Sequence, residues 1–366
     1  MIRNLVTLAS LLVLFCSARQ VSAAGELWLD GRCKTLASDL LGPFVRLDDG
    51  SVLAIDSAAT FVSGDGGQSW SEPRPLFDYG QKITVSNERA LLRTRDGVVI
   101  AAFMNLQERH WTWQNELHDA PGAKLPTYVM RSLDGGRTWQ DIQKMHDDWS
   151  GAVRDMIQTI DGRVIFTAMK MRHDPGRHSV LTYSSTDDGA TWKPSNLIDL
   201  GGRGHHGGVT EPTITQLRDG RLWLLIRTNW GEFWSGYSRD GGRFWNVLQP
   251  SGIAASSAPA LLKRLKSGRL LLLWNRPFPE GTNSWPLSGG DGLWSDVPVS
   301  NFREELSLSM SEDDGKTWSK PVVIGRQSGA RLSYPYAFEY QPGEIWLTTM
   351  QGGLRLKLRE SDFVSE

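Results

Sequence analysis

Six segments of the chain share one pattern of apolar and polar residues. Each begins with a short run of β-forming residues, reaches Gly at its eighth position, and continues with a second apolar run. The segments are PFVRLDDGSVLAID, ALLRTRDGVVIAAF, DMIQTIDGRVIFTA, TITQLRDGRLWLLI, LLKRLKSGRLLLLW and YAFEYQPGEIWLTT. Two apolar runs around a turn that needs positive φ predict a β-hairpin. The chain therefore predicts six equivalent hairpins, which turn at Gly50, Gly97, Gly162, Gly220, Gly268 and Gly343.

A second motif, eight residues long, follows each of the first five hairpins. Its copies are SGDGGQSW, SLDGGRTW, STDDGATW, SRDGGRFW and SEDDGKTW. Asp in such a turn accepts hydrogen bonds from backbone N–H groups, Gly permits a left-handed backbone, and Trp buries a large ring between sheets. One unit is then two inner strands, a third strand, a tight turn and a fourth strand, repeated about every 50 residues. This arrangement predicts an all-β fold, a six-bladed β-propeller of four-stranded blades.

The sixth hairpin has no octet after it, so its blade lacks an outer strand. The segment GELWLD, residues 25–30, is predicted to supply that strand from the mature N-terminus. Such a strand closes the ring and covers the open sheet edges.

The N-terminus itself predicts a secretory signal peptide over residues 1–23. Arg3 precedes the apolar run LVTLASLLVLF, and VSA ends at Ala23 with small residues suited to cleavage. Residues 24–366 then form one propeller domain of a secreted or periplasmic protein, with no membrane span predicted in the mature chain. The formal net charge is −1 and the charges are well mixed, so no nucleic-acid partner is predicted.

The octets resemble the Asp-box of the sialidase (neuraminidase) superfamily. Five copies in register with six hairpins extend this resemblance over nearly the whole mature chain. The resemblance implies a six-bladed propeller, but Asp-boxes also occur in non-catalytic propellers. Function must therefore be argued from the site.

The candidate site lies at the central mouth, which is surrounded by the residues just before each inner strand and just after each second strand. A polar, concave mouth of this kind binds small charged ligands. Counting from the hairpin glycines places several charged and aromatic side chains there: Glu88, Arg89, Arg154, Glu211, Arg227, Arg276 and Tyr334.

The family pattern can be compared with these positions. TEPTITQLRDGRLWLLIR places Glu211 and Arg227 where sialidases carry a Glu that activates the nucleophile and an Arg for the substrate carboxylate, and SYPYAFEYQPG places Tyr334 at the nucleophile. The resemblance also makes Arg276 and Arg89 candidates for substrate binding. A neutral Tyr suits attack on an anomeric carbon that bears a carboxylate. The implied activity is a retaining exo-glycosidase that removes terminal sialic-acid-like sugars from a glycan or glycoconjugate substrate, without cofactor or metal.

Two departures from the family pattern keep alternatives open. Leu40 stands where sialidases carry a first Arg, and the acid/base Asp has only Asp56 and Asp119 as candidates, without a motif. The pair His205 and His206 has no partner spacing for a metal. The alternatives are a glycosidase or polysaccharide lyase of other specificity, for uronic acid or rhamnose glycans, and a non-catalytic glycan-binding propeller. Loop residues Trp111, Trp113, Trp230 and Trp234 either stack on sugars or pack against blades.

Overall fold

A computed structural model of the chain describes residues 24–77, 80 and 82–364. The predicted signal peptide lies outside these described residues. Within them the regular structure is almost entirely β, and the helical turns are two short 3-10 helices, Leu106–Glu108 and Glu360–Phe363. No helix in this part of the chain is both long and apolar enough to cross a membrane.

Six antiparallel sheets follow one another along the chain, and together they confirm the predicted six-bladed propeller. The strands of blades one to three are Phe44–Arg46, Val52–Asp56, Ala59–Ser63 and Arg74–Pro75; Val85–Arg93, Val99–Asn105, Thr127–Ser132 and Gln140–His146; Met156–Gln158, Val164–Arg172, Arg177–Ser185 and Lys193–Pro194. Those of blades four to six are Thr210–Gln216, Leu222–Arg227, Glu232–Ser238 and Val247–Ala254; Leu261–Arg264, Leu270–Trp274, Glu305–Ser311 and Val322–Arg326; Ser333–Gln341, Glu344–Gln351, Arg355–Arg359 and Lys34–Thr35.

The hairpin glycines adopt the backbone that the sequence pattern requires. All six have φ between 77° and 91°, a region that residues with a Cβ rarely enter. The first and second strands of every blade pair in antiparallel register around them.

The octets are structural turns that also hold neighbouring blades together. In the first copy, the Asp65 carboxylate accepts hydrogen bonds from the Ser69 hydroxyl at 2.6 Å and from the Ser69 backbone N–H at 2.9 Å. These hydrogen bonds lower the pKa of Asp65 to about 2. Gly67 has φ +83°, and a Cβ there would lie 2.9 Å from the Trp346 ring of blade six. The octet turn therefore needs Gly both for its backbone and for its close contact with the next blade.

Apolar side chains fill the spaces between adjacent blades. Leu53 of blade one packs with Val99 and Phe103 of blade two, and the octet residue Trp139 packs against this cluster. An equivalent cluster joins blades five and six, where Leu271 and Ile345 are fully buried. Burial of these faces supplies the main favourable term for folding.

The N-terminal segment pairs differently from the prediction. Trp28–Leu29 forms a fifth strand on the outer edge of blade five, whereas Lys34–Thr35 occupies the outermost position of blade six. The assignment of residues 25–30 to blade six was therefore wrong. The sequence could not distinguish these two positions, because a short apolar strand can pair with the edge of either adjacent sheet. In the structure Leu29 packs against the core that blades five and six share.

Three long connections emerge from the blades. They span residues 106–126 in blade two, 195–209 between blades three and four, and 275–304 in blade five. The blade-five connection contains a small hairpin of its own, Leu287–Ser288 with Val299–Ser300.

Candidate active site

Two residues at the central mouth have an unusual backbone. Glu211 and Tyr334 occupy equivalent positions at the start of the inner strands of blades four and six, with φ of 47° and 61°. Ladder pairing in blade four is interrupted between Thr210 and Thr213, so Glu211 lies in a β-bulge. Positive φ at non-glycine residues is uncommon, and it clusters where a side chain must be aimed at a functional site.

The two side chains meet directly. The Tyr334 hydroxyl donates a hydrogen bond to Glu211 Oε1 at 2.8 Å, and Arg227 Nη1 donates to Glu211 Oε2. The Arg227 and Glu211 side chains are only 6% and 8% exposed. The structure thus brings together the three residues that the sequence placed on blades four and six.

Two more arginines flank the Tyr334 ring. The guanidinium carbons of Arg154 and Arg303 lie 5.0 and 5.6 Å from its centroid. Ser257 links Arg227 of blade four to Arg303 of blade five. Its hydroxyl accepts a hydrogen bond from Arg227 Nη2 at 2.8 Å, and its backbone carbonyl accepts one from Arg303 Nη2 at 2.6 Å. Sequence reasoning missed Arg303, which lies in VSNFREE ahead of the third strand of blade five and outside the hairpin pattern.

The arginines keep Glu211 ionised inside the protein. Burial by itself raises the pKa of Glu211, but the charges of Arg227 and Arg154 and the hydrogen bonds from Arg227 and Tyr334 outweigh it, so the pKa falls below its usual value. Burial and the Glu211 charge raise the pKa of Tyr334 to about 12. In the resting site the proton therefore stays on Tyr334, beside a carboxylate.

The arginines of the cluster outnumber its ionised carboxylate. Burial and the neighbouring charge of Arg227 lower the pKa of Arg303 to about 10, which leaves it protonated at neutral pH. Arg227 Nε and Arg154 Nε are buried and have no hydrogen-bond partner among the described residues. Three guanidinium groups beside one ionised carboxylate thus leave the site with a net positive charge.

A second carboxyl group belongs to the same electrostatic cluster. Glu88 is half-buried on blade two, at the position equivalent to those of Glu211 and Tyr334. Burial and the Glu211 charge raise its pKa, whereas Arg154 and Arg89 oppose that shift. Glu88 therefore holds a proton to a higher pH than an ordinary glutamate does.

The other two predicted substrate-binding arginines contact different partners. Arg89 donates to the Asp56 carboxylate at 3.0 Å and to three backbone carbonyls, those of Gly42, Ile55 and Ser86. Arg276 donates to Ser307 Oγ at 3.1 Å, and its Nη2 lies 3.6 Å from Glu305 Oε2. Within the described residues neither arginine makes a hydrogen bond or ion pair with Glu211, so their role in binding substrate stays a prediction.

The remaining candidates are Asp119 and the histidine pair. Asp119 is buried and forms a hydrogen bond with His173 Nδ1 at 2.9 Å, and among the described residues it makes no hydrogen bond with Tyr334 or Glu211. His206 lies close to the arginine cluster: although much of the residue is exposed, desolvation of its ring by neighbouring protein atoms and the Arg227 charge lower its pKa to about 3. No group of three or more His, Cys, Asp or Glu side chains with metal-binding geometry occurs in the part of the chain that the structure describes.

Comparisons with known proteins point to one family. A sequence profile described as "BNR repeat-like domain" matches residues 53–347. The sialidases of two Vibrio cholerae serotype O1 strains are 23% identical to this chain over 221 residues, which cover 54% of this chain and 26% of the relative. The chain therefore spans about a quarter of the length of these relatives.

Solved structures share the fold at low sequence identity. A Hadza microbial sialidase superposes with a TM-score of 0.60 at 18% identity, covering 88% of this chain and 66% of that one. A mutant of NanB sialidase from Streptococcus pneumoniae gives 0.59 at 13% identity, covering 93% and 71%. The α-L-arabinofuranosidase arb93a of Fusarium graminearum also gives 0.59 at 13% identity, covering 92% and 100%.

Proposed function

Because this chain belongs to the BNR repeat-like domain family, we propose that it is a retaining exo-glycosidase of sialidase type that acts on terminal sialic-acid-like sugars. The observation that carries the proposal is the 2.8 Å hydrogen bond from the Tyr334 hydroxyl to the buried Glu211 carboxylate. That pair is a nucleophile in contact with its base. Arg227 orients the base from the opposite side.

The reaction follows from these contacts. Tyr334 Oη attacks the anomeric carbon while Glu211 accepts the phenolic proton, and the bond to the leaving oxygen breaks. Because the pKa of Tyr334 is raised and that of Glu211 is lowered, the proton moves only as the new C–O bond forms. The nucleophile therefore approaches as a neutral group, which avoids repulsion from a carboxylate on the same carbon. Water then attacks the anomeric carbon from the opposite side and gives its proton to the group that protonated the leaving oxygen. The bond to Tyr334 Oη breaks, and the tyrosine oxygen takes its proton back from Glu211, with net retention.

We assign Glu88 as the group that protonates the leaving oxygen. It stands on blade two at the position equivalent to those of Glu211 and Tyr334. Its raised pKa keeps it protonated to a higher pH than usual, which suits a general acid. A Glu88→Gln variant should lose most activity toward substrates with poor alcohol leaving groups while keeping it toward activated aryl glycosides, and equal loss for both would exclude this role.

The cationic cluster supports an anionic sugar as the substrate. Arg154 and Arg303 flank the Tyr334 ring, and Arg227 pairs with the same carboxylate that accepts from Tyr334. A substrate carboxylate would balance the excess positive charge of these three arginines through charge-assisted hydrogen bonds from their guanidinium groups. A neutral sugar would leave Glu211 as the one ionised carboxylate among three guanidinium groups.

The test is hydrolysis of 4-methylumbelliferyl glycosides of N-acetylneuraminic acid, glucuronic acid, rhamnose and arabinofuranose. We expect the enzyme to release 4-methylumbelliferone from the N-acetylneuraminide, and we expect the Tyr334→Phe variant to release none. Proton NMR of the first product should show the retained anomer, and an inverted first product would exclude a tyrosine nucleophile. Turnover of another sugar alone would establish a glycosidase of different specificity. Binding of glycans with no turnover of the panel would favour the non-catalytic propeller.

Export is also part of the proposal. The sequence pattern of residues 1–23 supports cleavage after Ala23. N-terminal sequencing of the protein recovered outside the cytoplasm should begin at Ala24, and an intact Met1 in that fraction would contradict it.

A further inference from the structure

A row of five aromatic rings adjoins the arginine cluster at the mouth of the propeller. Successive centroids are 6.2 Å apart from Trp111 to Trp113, 5.8 Å from Trp113 to His205, 4.7 Å from His205 to His206 and 5.1 Å from His206 to Trp294. His206 is exposed and the other four rings are half-buried. The row combines three separate connections, from blade two, from between blades three and four, and from blade five.

The connections are fastened to one another. The backbone N–H groups of His205 and His206 donate to the carbonyls of Leu293 and Trp294 at 2.8 and 2.9 Å. Gly204 has φ +112°, and a Cβ there would lie 2.8 Å from the Trp294 carbonyl oxygen. The rings are therefore held in place before any ligand arrives, which reduces the entropy cost of binding.

The row also adjoins the catalytic cluster. Asn229 Nδ2 donates to the His206 carbonyl at 2.6 Å, and Asn229 Oδ1 accepts from the Ser257 hydroxyl at 2.6 Å. Ser257 in turn accepts from Arg227. Three hydrogen bonds thus connect the centre of the row to the arginine that orients Glu211. Since its pKa is lowered to about 3, His206 is an uncharged ring at neutral pH.

The rings have different roles in packing. Trp111 lies 4.3 Å from Trp149 and stacks on buried His178, so it anchors the row to blades two and three. Trp113, His205, His206 and Trp294 form the rest of the row, which connects to the arginine cluster through the His206 carbonyl and Asn229. Aromatic faces next to a sugar-cleaving site offer large, rigid contact area for the C–H faces of pyranose rings.

Building on the proposed glycosidase function, we propose that Trp113, His205, His206 and Trp294 form the binding site for the leaving-group part of the substrate. The ligand is a neutral oligosaccharide chain, whose pyranose rings stack on Trp294 and Trp113 on either side of His206. The consequence is a preference for sugars released from an oligosaccharide over sugars released from a small alcohol.

The first test compares two substrates with the same terminal sugar. Release of N-acetylneuraminic acid is measured from its methyl α-glycoside and from sialyllactose, with Trp294→Ala, Trp113→Ala and the control Trp28→Ala. Trp28 is 47% exposed on the outer edge of blade five. Loss of one stacked ring should lower kcat/KM for sialyllactose about fivefold to tenfold, with the methyl glycoside and the control unchanged. An equal loss for both substrates would overturn the proposal.

The second test does not depend on turnover. Saturation-transfer NMR with lactose and N-acetyllactosamine is recorded on Tyr334→Phe, which retains the row. Transfer to the sugar protons should appear in this variant and disappear when Trp113→Ala and Trp294→Ala are added, with melting temperatures confirming folded protein. Absence of transfer in the parent variant, or unchanged transfer in the triple variant, refutes the row as a glycan site. Failure of all hydrolysis assays with transfer intact would instead refute only the glycosidase function.

Discussion

Replacing Tyr334 by Phe removes a single oxygen from the centre of the site. The ring that remains still fits between the guanidinium groups of Arg154 and Arg303, which lie 5.0 and 5.6 Å from its centroid. Glu211 loses the hydrogen bond to Oε1 but keeps Arg227 on Oε2. The variant should therefore fold and bind substrate, and should lack only the attacking atom.

The magnitudes follow from these contacts. A hydrogen bond to a charged acceptor contributes about 1.5–3 kcal/mol. With an unfolding entropy of about 2.1 cal/mol/K per residue over the propeller domain, residues 24–366, that loss lowers the melting temperature by about 2–4 °C. Loss of a nucleophile should lower kcat at least about a thousandfold, whereas substrate affinity should change less than about threefold, since the arginines stay in place.

Tyr336→Phe provides a matched control. Tyr336 lies two residues along the same strand, and its hydroxyl accepts from the Phe44 N–H at 3.1 Å and donates to the Phe44 carbonyl at 3.2 Å. Both variants are assayed by calorimetry, by steady-state kinetics on the best glycoside and by equilibrium binding of the product. A near-normal kcat in Tyr334→Phe would refute the tyrosine mechanism, and an equal loss of activity in both variants would show that the loss reflects packing.

Three further predictions concern stability. Arg227→Met leaves the Glu211 carboxylate buried without its counter-charge and should lower the free energy of unfolding, measured by chemical denaturation, by about 3–5 kcal/mol. A loss under about 1 kcal/mol, the usual value for an exposed ion pair, would mean that the pair is well solvated. The pKa of Glu211 is lower in the folded state than its ordinary value. The ionised carboxylate therefore stabilises the fold fully at pH values above the ordinary glutamate pKa, and this stabilisation is lost as the pH falls through the lowered pKa of the folded state. The difference in melting temperature between the wild-type protein and Glu211→Gln should thus be constant from pH 7 to about 5 and shrink only below about 4.3. A difference already lost near pH 6 would mean that burial raises the pKa of Glu211 more than the arginines lower it. A chain that begins at Gly31 lacks only the fifth strand of blade five, whereas one that begins at Ser38 also uncovers the edge of blade six. The second should melt at a clearly lower temperature, and identical melting temperatures would contradict a stabilising role for Lys34–Thr35.

Short-range pattern determined the architecture and the centre of the site. Each hairpin glycine and each octet marks a turn whose backbone conformation depends on residues nearby in sequence. Repetition of the hairpin in six equivalent units predicts that the units are arranged as a ring. Glu211, Arg227 and Tyr334 could be located because their positions are counted from those glycines. In a propeller, equal distance from the turn means equal depth in the mouth, so residues far apart in sequence meet.

Only the tertiary structure decided the features that have no such register. Arg303 comes from an irregular connection, and its place beside Tyr334 depends on Ser257 and on how that connection folds back. Arg89 has a position near the mouth by counting, yet it donates to Asp56 and to backbone carbonyls. The edge that Trp28–Leu29 pairs with and the aromatic row of three connections likewise depend on contacts between distant segments. A repeat pattern constrains the backbone of each unit, but it carries no information about which side chains of separate units form hydrogen bonds or pack together.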